Sequence, residues 1–338
     1  MLMKLMRAIQ VQSPGADFEL VQIEIPEPKE NEVLVKVQAC GICHGDAVAK
    51  DGHFPGIKYP IIPGHEVVGT IEKAGKKVTG WKEGQRVGVG WHGGHCFECS
   101  ACRKGNFNAC EHSLTTGLHV DGGYAEYMIA RPEVMVAIPA ELDSQAAAPL
   151  LCAGRTTFGA LKDSNAKPGD LVAIHGLGGL GHLAVQYAVK MGFKTAVLSR
   201  GKDKEQLAYT LGAHLFIDSE ATDGAKELTK LGGAQVILCT APNSMAISAL
   251  IPGLGRNGQA IIVTGTGDML QVPSSLLLGG QRSIKGYVSG NIEEAIQFSV
   301  LTNVKPMIEV FPLEQVAVAY EKMMSAKVHF RSVLKIGS

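Results

Sequence analysis

Neither sign of charge is in excess in this 338-residue sequence: Lys and Arg together number 32, as do Asp and Glu, and no block of like charges occurs. Polyanions are held by basic patches or stripes, so nucleic acid and anionic membrane surfaces are not expected partners. No stretch approaches the roughly 18 apolar residues that cross a bilayer, which excludes a membrane-spanning reading. The first ten residues mix Lys4 and Arg7 with apolar neighbours and hold no apolar core of the length of a secretory signal. They read as a first strand, and the expected compartment is the cytoplasm. Internal repeats, low-complexity tracts, a Gly-x-Ser-x-Gly elbow, a phosphate-binding loop of the P-loop kind and a paired-carboxylate pattern are all missing as well.

What remains is a folded chain with 46% hydrophobic and 19% charged residues. Its length corresponds to roughly two domains at about 150 residues each. The eight cysteines, in a compartment that keeps thiols reduced, read as metal ligands or nucleophiles rather than disulfides. Up to about Pro149 the pattern is one of short strands and turns, with 33–39 alternating apolar and polar residues and Gly or Pro recurring at 52, 55, 60, 63, 64 and 69. From about Lys167 apolar runs at 171–175, 195–199, 215–217, 234–239 and 258–264 alternate with helical stretches, the mark of a parallel sheet covered on both faces. Helices at 292–301 and 313–326 and extended pieces near 307–311 and 332–336 complete the chain.

The run at 171–175 leads directly into Gly176-Leu177-Gly178-Gly179-Leu180-Gly181, then an amphipathic helix over 182–192 and the strand at 195–199. Glycine at 176, 178 and 181 supplies a tight strand-to-helix turn, room for a pyrophosphate against the backbone, and close helix–strand packing. This is a dinucleotide site, with phosphates on the positive helix end. The second strand ends in Ser199, and Arg200, Lys202 and Lys204 follow with no carboxylate before Asp203; a hydroxyl, a guanidinium and two ammonium groups there favour NADP over NAD. The plainer reading makes them solvated charges at a helix start.

Cys96, Cys99, Cys102 and Cys110 fall within fifteen residues on a hydrophilic loop. Four thiolates match a closed, tetrahedral structural zinc that folds its loop and does no chemistry. Away from it stand Cys43-His44-Gly45-Asp46, Gly64-His65-Glu66 and Cys152-Ala153-Gly154-Arg155-Thr156; their separations of about 20 and 85 residues say nothing of whether they converge.

With these motifs in order across nearly the whole chain, the sequence resembles the zinc-dependent medium-chain alcohol dehydrogenases, in their cinnamyl-alcohol-dehydrogenase-like branch. The resemblance implies an α/β protein: a doubly wound Rossmann nucleotide domain over 151–285, and a discontinuous GroES-like β-rich catalytic domain over 1–150 and 286–338. It implies that Cys43, His65 and Cys152 bind a catalytic zinc, with Glu66 beside it and Asp46 orienting His65. That zinc, with an open position, acts as a Lewis acid on an alcohol or aldehyde oxygen while the nicotinamide takes or gives hydride. His44 and Arg331 are implied at the cofactor pyrophosphate, Thr156 against the nicotinamide and Trp91 in the substrate pocket; surface and core roles for Arg331 and Trp91 stay open. A homo-oligomer, tetramer or dimer, is implied too. Many relatives carry Ser or Thr where this chain has Gly45, so the route of the alcohol proton is left to water or to His53.

Other residues read as structural: Cys40 as strand packing, Cys239 as a buried sheet residue, His175 as packed or near the cofactor, and His92 and His95 as neighbours of a site the four cysteines already close. The rival functions are a zinc-free reductase of quinones or activated double bonds and, in a different class, a zinc-ribbon binding module.

Overall fold

The structure, a computed structural model, describes residues 4–337 other than 266, 289, 326 and 329. The start of the expected first strand (1–3) and the last residue of the helix expected over 313–326 thus lie outside the described residues. The chain divides into two compact units, one of Met1–Cys152, Ile292–Val300 and Pro306–Ser338, the other of Ala153–Asn291 and Leu301–Lys305. Among the described residues no helix is long and apolar enough to cross a membrane.

The first unit is built on strands. β1 (Leu5–Val11) and β2 (Phe18–Glu24) form an antiparallel hairpin. A seven-stranded sheet follows, from β3 (Val33–Ile42), β4 (Val67–Ala74), β5 (Arg86–Val89), β8 (Tyr127–Ala130) and β9 (Met135–Ala137) with β16 (Ile308–Pro312) and β17 (Arg331–Lys335); the short β6 (His92–Gly94) and β7 (Leu114–Thr115) pair separately. Its order is β16-β17-β3-β4-β5-β9, with β8 also on β3, so residues from the far end of the chain sit beside β3. Val35, Val37, Ile71, Val87, Tyr124 and Met128 lie in its core. Strand β3 runs on to Ile42, past the alternating stretch, because Cys40 and Ile42 are themselves buried.

The second unit carries a six-stranded parallel sheet: β10 (Leu171–His175), β11 (Lys194–Ser199), β12 (Leu215–Asp218), β13 (Ala234–Cys239), β14 (Leu254–Ile262) and β15 (Ser283–Gly286). The order β12-β11-β10-β13-β14-β15 reverses direction between β10 and β13, the switch point of a doubly wound sheet. The five-residue β10 is wholly buried, which is why it reads as an unbroken apolar run. Strand β14 starts four residues earlier than its apolar run, since the register against β13 shifts between Ala234 and Val236 and Asn257 takes a left-handed φ of 58°. The last long helix is preceded by a 3₁₀ turn, Leu313–Gln315, before Val316–Met324.

Candidate active site

Strands β3 and β4 are antiparallel, with Cys40 opposite Val67, so Cys43 just beyond one and His65 and Glu66 just before the other emerge at the same end of the pair. The Gly41 N–H donates to the Glu66 carbonyl at 3.0 Å and holds the two segments together. Cys43 then caps the helix His44–Asp51, and three residues on Asp46 accepts from the Cys43 backbone N–H at 2.8 Å. That i, i+3 return is the physical reason for the Cys-x2-Asp spacing. Cys152 arrives from the 3₁₀ turn Ala148–Leu151, whose Leu150 and Leu151 are fully buried against the sheet.

These segments bring ligand atoms of Cys43, His65, Glu66 and Cys152 within 4.8 Å of one another. The two sulfurs are 3.9 Å apart; tetrahedral thiolates about 2.3 Å from a zinc stand about 3.8 Å apart. His65 Nδ1 donates to Asp46 Oδ1 at 2.9 Å, while its Nε2 is buried and, among the described residues, has no hydrogen-bond partner. This donor set and orphaned nitrogen fit a zinc ion. Burial opposes charge on His65, but Asp46 prevails and raises its pKa well above the ordinary value. The Cys43 thiol is pushed well down by the hydrogen bond from Cys152, against its burial and with help from His65, and Cys152 is pushed up by making that bond. Burial pushes Glu66 up to about 7, although Arg331, 3% exposed, ion-pairs with it. Arg331, for which a place on the surface had stayed open, is thus buried against Glu66.

Trp91 stands edge-on to the His65 ring, centroids 4.7 Å apart at 87°. Its position accounts for Gly45, because a Cβ there would come within 2.7 Å of Trp91 Cζ3 and 2.8 Å of His65 Cε1. His44, the first residue of the helix His44–Asp51, and His53, just after its C-cap, are both exposed. A residue with no signal in the sequence, Tyr124, donates its hydroxyl to Asp46 Oδ2 at 2.9 Å.

The second thiol set is equally compact, with Cys96, Cys99, Cys102 and Cys110 also within 4.8 Å of one another. Sulfur separations of 3.6 Å (Cys96–Cys110) and 4.0 Å (Cys96–Cys102) again suit a tetrahedral ion. Backbone N–H groups of Cys99 and Glu98 donate to Cys96 and lower its pKa, and donors from Cys102 and Glu111 bring Cys99 down to about 6, while burial lifts Cys102 to about 12. His92 Nε2 and His95 Nδ1 lie 2.9 Å apart, outside the four-sulfur set. Cys40 and Cys239 are fully buried in β3 and β13.

In the second unit Gly176–Leu180 connects β10 to the helix Gly181–Lys190. A Cβ on Gly181 would fall 2.0 Å from the Gly176 carbonyl oxygen, whereas one on Gly178 would meet nothing within 4 Å among the described residues. Gly181 is therefore required by protein packing, and Gly178 leaves open the cradle a pyrophosphate needs. Lys204 Nζ donates to the Leu177 carbonyl at 3.0 Å, so this side chain folds back from beyond β11 onto the glycine loop. Ser199 is half-buried at the end of β11 and Arg200 is exposed; the Asp218 carboxylate, from β12, accepts from the Gly201 N–H at 2.9 Å. Thr156 is half-buried in the helix Ala153–Lys162, and His175, at the end of β10, is buried with its pKa lowered by that burial.

Comparison with known proteins agrees with this geometry. The alcohol dehydrogenase GroES-like domain family matches residues 29–140 and the zinc-binding dehydrogenase family residues 179–302. The alcohol dehydrogenase patD of Penicillium expansum is 44% identical over 95% of this chain and 94% of its own length, and an alcohol dehydrogenase of Geobacillus stearothermophilus is 38% identical over 98% of this chain and 100% of its own. The crystal structure of CAD from Helicobacter pylori complexed with NADP(H) is similar with a TM-score of 0.88 and 27% identity, covering 99% of each chain. By its two matched domains and its near full-length relatives, this chain belongs to the zinc-dependent medium-chain alcohol dehydrogenases, oxidoreductases with a GroES-like and a Rossmann domain.

Proposed function

We propose that the chain interconverts primary alcohols and aldehydes with NADP(H), alcohol and NADP⁺ giving aldehyde, NADPH and a proton, at a centre formed by Cys43, His65 and Cys152 with Glu66 alongside. The observation that carries the reading is the buried meeting of two thiols, a carboxylate and an imidazole nitrogen without a partner. Zinc bound there supplies a Lewis acid for the substrate oxygen, and bound nicotinamide supplies or accepts the hydride. Asp46 keeps the proton on His65 Nδ1 and so keeps Nε2 free to ligate. Arg331 offsets the buried Glu66 charge, and Trp91 walls the His65 side of the substrate pocket. Gly45 offers no hydroxyl, so the alcohol proton leaves by water or by another side chain. Cys96, Cys99, Cys102 and Cys110 hold a second, structural zinc.

The cofactor contacts we assign are Gly176, Gly178, Gly179, Leu180 and Gly181 at the pyrophosphate with His44 and Arg331, Thr156 at the nicotinamide, and Ser199, Arg200 and Lys204 at the adenosine 2′-phosphate. Lys204, already folded onto the glycine loop, supports the NADP preference. We further infer a cytoplasmic homodimer or homotetramer.

The deciding experiment combines metal analysis with NADPH and NADH oxidation against linear, branched and aromatic aldehydes. About two zinc ions per chain with NADPH-dependent aldehyde reduction is expected. One or none, with reduction of quinones or enones, would move the chain to the zinc-free reductases; faster turnover with NADH throughout would overturn the cofactor assignment. Binding to a nucleic acid panel without turnover would favour the zinc-ribbon module.

A further inference from the structure

Asp46 is only 1% exposed, and both of its oxygens are engaged. Oδ1 accepts from His65 Nδ1 at 2.9 Å; Oδ2 accepts from the Cys43 N–H at 2.8 Å and from the Tyr124 hydroxyl at 2.9 Å. Tyr124 has no exposed surface, and its ring lies in an apolar pocket beside Cys40 and edge-on to Phe18. Its main chain belongs to the same assembly: the N–H donates to Pro63 at 3.0 Å and the carbonyl accepts from Ile9 at 2.8 Å. Gly64, directly before His65, has a left-handed φ of 101°, and a Cβ on it would stand 2.5 Å from the Tyr124 ring. The ring therefore lies against the turn that carries His65.

A phenylalanine would fill the same volume, and burying a hydroxyl among apolar groups costs free energy unless it is bonded. The Tyr124 hydroxyl spends its proton on Asp46. We propose that Tyr124 is a positioning residue of the active centre: its hydroxyl fixes the tilt of the Asp46 carboxylate, which fixes the His65 ring, and thereby sets how tightly Cys43, His65 and Cys152 retain their metal. The proposal rests on the function assigned above. Without the hydroxyl, Oδ2 keeps one donor, the carboxylate gains freedom to rock, and His65 loses the fixed acceptor that holds its other nitrogen on the ion. Such outer partners of metal ligands govern affinity by about 10–100-fold.

The test follows zinc release from the loaded full-length protein into an excess of a chromogenic chelator. Wild type should release in two phases, of which Cys152→Ser identifies the one from the active centre. Tyr124→Phe is expected to speed that phase at least about tenfold while leaving the four-thiol phase and the circular dichroism unchanged. A solely structural role would speed both phases or neither. Asp46→Asn should speed the same phase, and the double variant should release no faster than Asp46→Asn alone, because the hydroxyl acts through that carboxylate. An unchanged rate in Tyr124→Phe, or effects that multiply in the double variant, would overturn the proposal. Should Tyr124→Phe not fold, 3-fluorotyrosine at position 124, a more acidic donor on the same ring, should slow the active-centre phase, and an unchanged rate would again overturn it. A single release phase in wild type would instead overturn the metal assignment of the Cys43 set and this proposal with it, an outcome that does not involve Tyr124 variants at all.

Discussion

Replacing Gly45 with alanine is the sharpest test of how the surroundings of His65 are packed. The added Cβ would start 2.7 Å from Trp91 Cζ3 and 2.8 Å from His65 Cε1, where unstrained carbon pairs sit about 3.5–4.0 Å apart. One or both rings must retreat by about 1 Å. His65 is held by Asp46, so most of the movement falls on the half-buried Trp91. Overpacking of this kind costs about 1–3 kcal/mol, or about 2–4 °C in Tm for each kcal/mol at this domain size. A residual shift of His65 approaching 1 Å would lower kcat by up to about a hundredfold. Calorimetry and aldehyde-reduction kinetics on Gly45→Ala, Trp91→Ala and the double variant measure both effects. With the indole gone, Gly45→Ala should cost at least about 0.5 kcal/mol less than it does in wild type. A Gly45→Ala protein with wild-type Tm and turnover, or one whose loss is the same with and without Trp91, would refute the argument that the indole dictates glycine here.

Four further outcomes are expected. Cys152→Ser should abolish turnover with little change in Tm, whereas Cys99→Ser should chiefly lower Tm by unfolding the four-thiol loop; equal, mild effects from both would contradict two separate sites. Arg331→Leu should destabilise the first unit in urea titrations, by up to about 3–5 kcal/mol well above pH 7, where a charged Glu66 is left buried without its cation, and by less at lower pH, where Glu66 takes up a proton. Lys204→Ala should raise KM for NADPH well above its effect on KM for NADH, and equal effects would remove Lys204 from the 2′-phosphate. Burial works against the Glu126 carboxylate, but the Arg7 N–H and guanidinium outweigh it and hold its pKa below the ordinary 4.5. That contribution is present above about pH 4.5 and fades as pH falls through the lowered value, so a stability deficit in Glu126→Gln, of at most about 1 kcal/mol near neutrality for this partly exposed pair, should close in acid.

What could be read from the sequence was local. The glycine loop, its strand and its helix are neighbours in the chain, so their spacing alone announces a nucleotide fold, and the four cysteines of 96–110 form a ligand set within fifteen residues. Cys43, His65 and Cys152 were grouped only by family resemblance, because their meeting depends on the antiparallel register of β3 and β4 and on a 3₁₀ turn some hundred residues further on. Tyr124 left no trace: a tyrosine after two glycines looks like any turn residue until the fold turns its hydroxyl toward Asp46. The missing hydroxyl at Gly45 was visible, yet its cause, an indole from a segment beyond β5, was not.

The last strand has a consequence for biosynthesis. Ser332 of β17 pairs with Ile42 of β3, and Arg331 beside it neutralises Glu66. A nascent chain therefore presents the thiol and imidazole of its future active centre to the cell long before the strand that completes their sheet leaves the ribosome. The second unit, continuous from Ala153 to Asn291 apart from one short later segment, is translated in the interval and can fold first. Cys43 and His65 are thus translated well ahead of the strand whose Arg331 neutralises the Glu66 beside them.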